Sequence, residues 1–130
     1  MSNILLTGGA GFIGSHIAVA LRQAGYTPVI LDNLSNSLES AVSGISKITG
    51  KEEVLYNIDC RRESEVLNLI ERVGGISGIV HLAAFKAVGE SVENPSKYYD
   101  NNVGAMSTIL MVAENLGVNL FVFSSSCSVY

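Results

Sequence analysis

The chain has 130 residues and a mass of 13.8 kDa, which is room for one domain with a single core. Hydrophobic residues make up 48% of it and charged residues 15%, so it is not a disordered, collagen-like or coiled-coil chain. Eight Lys and Arg against twelve Asp and Glu give a net charge of −4, which argues against a basic nucleic-acid-binding face.

The first predicted elements are a buried strand, a glycine turn and a helix. Residues 3–7 form a short apolar run that stops at two glycines, and apolar residues then recur at helical spacing through 12–24. Gly25 stands where the C-terminal cap of that helix belongs. A second apolar run, at 27–31, predicts another buried strand, which ends in a polar stretch.

The same alternation continues to the end of the chain. Between the fourth and fifth strands we predict one long helix, with Asn94 as its N-cap, Pro95 at its first position and an end near Leu116. The other predicted elements are helices at 38–48 and 63–73 and buried strands at 54–58, 79–82 and 120–123.

Five strands alternating with four helices predict an α/β fold, a Rossmann-like doubly wound parallel sheet. We expect residues 1–130 to form one such domain, incomplete because no closing helix follows the last strand. The two cysteines lack metal-ligand spacing, so we expect no structural metal. The sequence shows no signal peptide and no apolar run long enough to span a bilayer, which favours a cytoplasmic protein.

A glycine-rich loop separates the first strand from the first helix. Gly8, Gly11 and Gly14 are spaced so that backbone N–H groups can approach a pyrophosphate near the positive end of the helix. Asp32 ends the second strand roughly 20 residues further on, where a carboxylate can accept hydrogen bonds from the adenosine ribose hydroxyls. Its charge would repel a 2′-phosphate, and we interpret Arg22 as a solvated surface charge, so the pattern favours NAD over NADP.

The run from Thr7 to Gly14 departs from the usual G-x-G-x-x-G form and resembles the glycine motif of the extended short-chain dehydrogenase/reductase family. Within that family the chain is most similar, over essentially its whole length, to the enzymes that interconvert UDP-glucose and UDP-galactose. The segments that carry this resemblance are 32–37, 81–91, 98–103 and 124–130. The resemblance implies an NAD-dependent isomerase of UDP-sugars, homodimeric as a whole enzyme, in which NAD takes hydride from C4 of the sugar and returns it to the other face.

The resemblance also implies which residues contact the cofactor and the substrate. Ser126 matches the active-site serine, which hydrogen-bonds the sugar 4-oxygen, and Lys86 lies beside the dinucleotide and the substrate. The implied NAD contacts, together with the glycines of the loop, are Phe12, Ile13, Asp32, Asn33, Asn36, Ser37, Asp59, Cys60, Leu82, Ala83, Ala84, Lys86, Asn101 and Ser124.

Two histidines and two cysteines receive structural interpretations. His81 falls within an apolar strand, so we interpret it as a hydrogen-bonded core residue and give His16, on the first helix, the same status. Cys127 has no nearby His or cationic residue in the sequence to lower its pKa, and we interpret it and Cys60 as packing residues.

The proton transfer of this family needs a Tyr-x-x-x-Lys pair, and none of the five tyrosines has Lys four positions later. We therefore expect an N-terminal, cofactor-binding portion of an enzyme, without a substrate domain and without epimerase turnover of its own. Three alternatives stay open. They are a related sugar-nucleotide dehydratase, a decarboxylase or epimerase acting on another sugar, and a non-catalytic nucleotide-binding or interaction module. Cys127 and Ser128 stand where the dehydratases carry an acidic pair, which disfavours the first of these.

Overall fold

A computed structural model describes residues 2–33, 40–83 and 92–124. Its centre is a five-stranded parallel sheet with the strand order β3-β2-β1-β4-β5, which confirms the predicted doubly wound fold. The strands are β1 (Asn3–Thr7), β2 (Thr27–Leu31), β3 (Leu55–Tyr56), β4 (Gly78–His81) and β5 (Leu120–Phe123). The described α-helices are α1 (Phe12–Gln23), α2 (Ser40–Thr49), α3 (Glu63–Arg72), α4 (Pro95–Tyr98) and α5 (Gly104–Leu116).

Helices cover both faces of the sheet because successive strand residues point to opposite sides. Leu5 lies in a cluster with buried residues of α3 and α5, whereas Leu6 lies in a second cluster with buried residues of α1 and α2. All but the first residue of β1 and of β2 is buried, as expected for strands that lie between two helical layers. No helix within the described ranges is long and apolar enough to cross a membrane.

The long predicted helix has the expected bounds, Pro95 to Leu116, but its hydrogen bonding changes part-way along it. A π-helical turn, Tyr99–Val103, separates α4 from α5, and the backbone turns back to α-helix at Gly104. Pro95 does occupy the start of α4, but the Asn94 side chain makes no capping hydrogen bond. The turn contains Asp and Asn residues, which are weak helix formers, and a contact from another loop holds it, as described below.

Two predicted strands also differ from the structure. The third strand was expected over 54–58 but is only Leu55–Tyr56, where it pairs with the end of β2. The fifth strand was expected to be buried, yet Leu120, Val122 and Phe123 are all about half exposed. The reason is its position at the edge of the described sheet, where it pairs with β4 alone.

Candidate functional site

The candidate site lies beyond the carboxyl ends of β1 and β4. From β1 the chain proceeds to β2 and β3 on one side, whereas β4 and β5 lie on the other side. In open α/β sheets such a reversal leaves a crevice between the loops that follow the two central strands. The glycine loop follows β1, and Leu82 and Ala83 follow β4, so the topology brings these two predicted segments together.

Three glycines of the loop lie where no side chain fits. A Cβ atom added to Gly14 would lie 2.1 Å from the Gly8 carbonyl oxygen, and one added to Gly9 would lie 2.7 Å from Ile30 Cγ2. Gly8 has a φ of 72°, and its Cβ would approach Ala83 N within 2.9 Å. The loop is therefore folded tightly against both the start of α1 and the segment after β4.

The N-terminal end of α1 opens from this loop. The first i to i−4 hydrogen bond of the helix runs from Ser15 N to the Gly11 carbonyl at 2.9 Å. The backbone N–H groups of the first turn therefore point out of the helix end. No acidic residue lies in that first turn and no side-chain hydrogen bond caps it, so the positive end of the helix dipole faces the loop. Phe12 and Ile13 on this turn are 83% and 49% exposed, as a ligand-contacting position requires.

Asp32 follows β2 and faces the glycine loop. Its Oδ2 accepts a hydrogen bond from Ala10 N at 3.2 Å, and only 8% of the residue is exposed. Its own backbone N–H donates to the Tyr56 carbonyl at 3.2 Å, which continues the β2–β3 pairing by one residue. The carboxylate is thus held by the loop itself, a contact that the sequence did not predict. Asn33, the next residue, is exposed.

A buried pair, Thr7 and His81, fixes the segment after β4. Thr7 Oγ1 accepts hydrogen bonds from Leu82 N at 3.1 Å and from Ala83 N at 3.3 Å, and it lies 2.7 Å from His81 Nδ1. Leu82 N also donates to the Thr7 carbonyl oxygen at 3.1 Å, so the backbone and the hydroxyl of Thr7 hold this segment together. The contact with Thr7 confirms His81 as a hydrogen-bonded core residue and adds Thr7, which the sequence analysis had not singled out.

Burial lowers the pKa of His81 to about 4, since the charged ring would lose its water. A folded-state pKa below the usual 6.5 means that the unfolded chain takes up the proton first as pH falls. We therefore expect His81 alone to reduce the free energy of unfolding by roughly 2 kcal/mol between about pH 6.5 and pH 4.5. Urea unfolding of the wild type and of His81→Asn across this range measures the contribution, and equal pH slopes would contradict it.

The loop after β3 carries Asp59 and Cys60. Hydrogen bonds from the Arg61 guanidinium lower the pKa of Asp59, whose side chain is about one-fifth exposed. Burial raises the pKa of the Cys60 thiol to about 11, and nearby Asp59 adds to this effect. Cys60 packs in the core cluster on the α3 and α5 face, which confirms its interpretation as a packing residue.

The structure describes four more of the predicted site residues. Asn101 lies half-buried in the π-helical turn, and Ser124 follows β5, where its N–H donates to the His81 carbonyl at 3.3 Å. Leu82 is buried and Ala83 is half-buried. Outside the described residues lie Asn36, Ser37, Ala84, Lys86 and Ser126.

Two interpretations of charged or titratable residues are wrong. Arg22 is not a solvated surface charge, because its guanidinium forms an ion pair with Glu53 and its side chain is only 13% exposed. His16 is not a core residue, because it lies exposed on α1 with its Nδ1 2.8 Å from the Phe12 carbonyl oxygen. Helical spacing along α1 does not reveal that Glu53 meets Arg22, nor that His16 lies on the solvent-facing side of the helix.

Comparison with known families agrees with this arrangement. The sequence model of the NAD-dependent epimerase/dehydratase family matches residues 4–130. The chain belongs to this family. Two relatives described as UDP-glucose 4-epimerase are each 47% identical to it, one from Dictyostelium discoideum over 127 residues and one from Neisseria meningitidis serogroup A over 130. The matched region covers 98% and 100% of this chain but only 37% and 38% of the two relatives.

Solved structures show the same similarity. A UDP-glucose 4-epimerase from Stenotrophomonas maltophila with bound NAD and formylated UDP-arabinopyranose superimposes with a TM-score of 0.94 at 42% identity. One from Bifidobacterium longum in complex with NAD⁺ and UDP gives a TM-score of 0.92 at 39% identity. The superimposed region covers 100% and 99% of this chain but only 38% of each of the two epimerase chains. The sequence therefore spans a little over a third of its relatives' length.

Proposed function

We propose that this chain is the NAD-binding portion of a UDP-glucose 4-epimerase. The observation that carries the proposal is the Asp32 carboxylate, which is buried at the end of β2 and hydrogen-bonded to the glycine loop. The carboxylate lies beside the tightly folded glycine loop, in which a Cβ atom added to Gly14 would clash. This loop lies at the carboxyl ends of the strands, where such folds bind ligands. The similarity to structures that contain NAD supports the choice of cofactor.

The residues present fit a dinucleotide in three respects. The open N-terminal turn of α1, at Phe12 and Ile13, suits the pyrophosphate, because its N–H groups and the helix dipole attract negative charge. Asp32 suits the adenosine ribose, because an ionised carboxylate accepts hydrogen bonds from hydroxyls. Leu82 and Ala83, held by Thr7, supply an apolar wall on the β4 side.

The predicted contacts of Asn33, Asp59, Cys60, Asn101 and Ser124 belong to this proposal. The same holds for the predicted contacts outside the described residues, Asn36, Ser37, Ala84, Lys86 and Ser126. Cys60 is buried, so we assign it a backbone contact near the adenine rather than a contact through its thiol.

The chemistry that NAD supplies when bound is the reversible acceptance of hydride from C4 of the sugar. This chain's part is to hold and orient the cofactor, with Ser126 proposed to hydrogen-bond the sugar 4-oxygen. None of the 130 residues forms a Tyr-x-x-x-Lys pair, so we propose that they bind the cofactor without sustained conversion of UDP-galactose. UDP-sugar binding and dimer formation are proposed for the whole enzyme.

Replacing Asp32 with Asn tests the ribose assignment. The amide keeps the shape and an acceptor oxygen for Ala10 N, but it loses the charge, so we expect the affinity for NAD⁺ to fall by about 1–3 kcal/mol. The preference for NAD⁺ over NADP⁺ should narrow in the same variant, because the repulsion of the 2′-phosphate is removed. Isothermal titration calorimetry with both nucleotides measures the two effects.

Glu52→Gln is the matched control for this experiment. Glu52 is exposed and precedes β3, so it lies toward the amino ends of the strands, away from the candidate site. Its replacement changes the net charge by the same amount. NAD⁺ binding equal to that of the wild type is expected. If Asp32→Asn bound NAD⁺ as tightly as Glu52→Gln, the ribose assignment would be wrong.

A further inference from the structure

Arg61 connects two loops that are far apart in sequence. Its Nε donates to Asp59 Oδ1 at 3.0 Å and one terminal nitrogen donates to Asp59 Oδ2 at 2.6 Å. The other terminal nitrogen donates to Asp100 Oδ2 at 2.5 Å. One guanidinium therefore joins the loop after β3 to the π-helical turn before α5, and the planar fork of Arg suits this geometry better than the single ammonium of Lys.

The backbone of Arg61 is held as firmly as its side chain. Its N–H donates to Asp59 Oδ1 at 3.0 Å, and its carbonyl accepts a hydrogen bond from Thr108 Oγ1 on α5 at 3.3 Å. The Arg61 side chain also passes close to Gly104, where an added Cβ would lie 3.8 Å from Arg61 Cδ. Arg61 is thus docked on the first turn of α5, directly after the π-helical turn.

The π-helical turn contributes no buried side chain to the core. None of its five residues, Tyr99–Val103, is buried, and the Asp100 side chain is 75% exposed. Segments without buried side chains have low local stability, so a polar contact from outside has a large share in fixing them. Arg61 contacts the proposed cofactor contact Asp59 and follows another, Cys60, in the sequence. Its other partner, Asp100, is the neighbour of a third proposed cofactor contact, Asn101.

We propose that Arg61 is a positioning residue of the cofactor site, which holds the π-helical turn in register with the loop after β3 so that Asn101 meets the dinucleotide. This inference rests on the proposed function, because it assigns Arg61 to the same NAD site. The low pKa of Asp59, caused first by its hydrogen bonds from Arg61, is consistent with a carboxylate that stays ionised and keeps this contact.

A double-mutant cycle tests this role. In the 130-residue chain, NAD⁺ affinity is measured by calorimetry for the wild type, Arg61→Met, Asn101→Ala and the double variant. We expect Arg61→Met to weaken binding roughly ten-fold, and the cost of Asn101→Ala to fall from roughly five-fold in the wild type to under about two-fold when Arg61 is absent. A purely structural Arg61 would leave the cost of Asn101→Ala unchanged, and that result would overturn the inference.

Arg62→Met is the matched control. Arg62 is the exposed neighbour of Arg61, so its replacement removes the same charge without releasing Asp100, and NAD⁺ affinity should stay within about two-fold of the wild type. If Arg61→Met does not fold, Asp100→Ala gives the same cycle from the other end of the contact, since Asp100 is largely exposed. Its cost should likewise be non-additive with Asn101→Ala, and additive costs would overturn the inference.

The outcomes separate this inference from the proposed function. Absence of saturable NAD⁺ binding by the wild-type chain would overturn the proposed function and this inference with it. Wild-type binding together with equal affinities of Arg61→Met and Arg62→Met would overturn the inference alone.

Discussion

Gly14→Ala is expected to lower the free energy of unfolding by about 3 kcal/mol or more and to abolish NAD⁺ binding. The added Cβ would lie 2.1 Å from the Gly8 carbonyl oxygen and 2.8 Å from Gly9 Cα, and both are backbone atoms. No rotamer change can relieve such contacts, so the glycine loop and the start of α1 must separate. Urea unfolding gives the stability, and calorimetry gives the affinity.

Gly44→Ala is the matched control for this prediction. Gly44 lies within α2, and an added Cβ there meets no atom within 4 Å. We expect this variant to gain roughly 0.5–1 kcal/mol, because alanine is the better helix former, and to bind NAD⁺ like the wild type. A Gly14→Ala protein with wild-type stability and affinity would show that the loop can open without cost. That result would contradict the assignment of the tight glycine loop as the cofactor site.

Glu53→Met is expected to lower the free energy of unfolding by about 3 kcal/mol. Glu53 Oε1 lies 2.7 Å from Arg22 Nε, and Glu53 Oε2 lies 3.1 Å from a terminal nitrogen of Arg22. The Glu53 side chain is 2% exposed and that of Arg22 13%, so removing the carboxylate takes this ion-pair partner away from a largely buried positive charge. Chemical denaturation measures the loss.

The double variant Arg22→Met/Glu53→Met separates charge from packing. Replacing both partners of a buried ion pair with apolar residues is often close to neutral, so we expect the double variant to recover most of the stability that Glu53→Met loses. Glu52→Met, at the exposed neighbouring position, should stay within about 0.5 kcal/mol of the wild type. A double variant as unstable as Glu53→Met would show that the loss came from packing rather than from the broken ion pair with Arg22.

Much of the fold could be predicted from the sequence because its signals are local. The alternation of Leu5 and Leu6 between the two hydrophobic clusters follows directly from the period of a strand. The glycine spacing predicted a tight turn before α1, and the structure shows why a Cβ is excluded at Gly14. Asp32 was predicted at the end of β2, where it lies.

The differences at the long helix, at Arg22 and at the fifth strand share a physical cause, because each depends on a part of the chain that is distant in sequence. The long helix changes to π-helical geometry at a turn whose Asp100 binds Arg61, 39 residues away, and no helical periodicity reveals that contact. Arg22 was interpreted as solvated because Glu53, 31 residues later, leaves no signal on α1 itself. The fifth strand has an apolar composition, but its burial depends on the strands beside it.

The sequence by itself determined the order of strands and helices, the glycine loop, its acidic partner Asp32 and the family resemblance. These depend on spacings of two to four residues or on motifs that lie within a single segment. Only the tertiary structure decided the contacts that hold the site together: Thr7 with His81 at a separation of 74 residues, and Ala10 with Asp32 at 22. Such contacts depend on which loops the parallel sheet brings to one edge, and strand order is a property of the whole chain rather than of any segment.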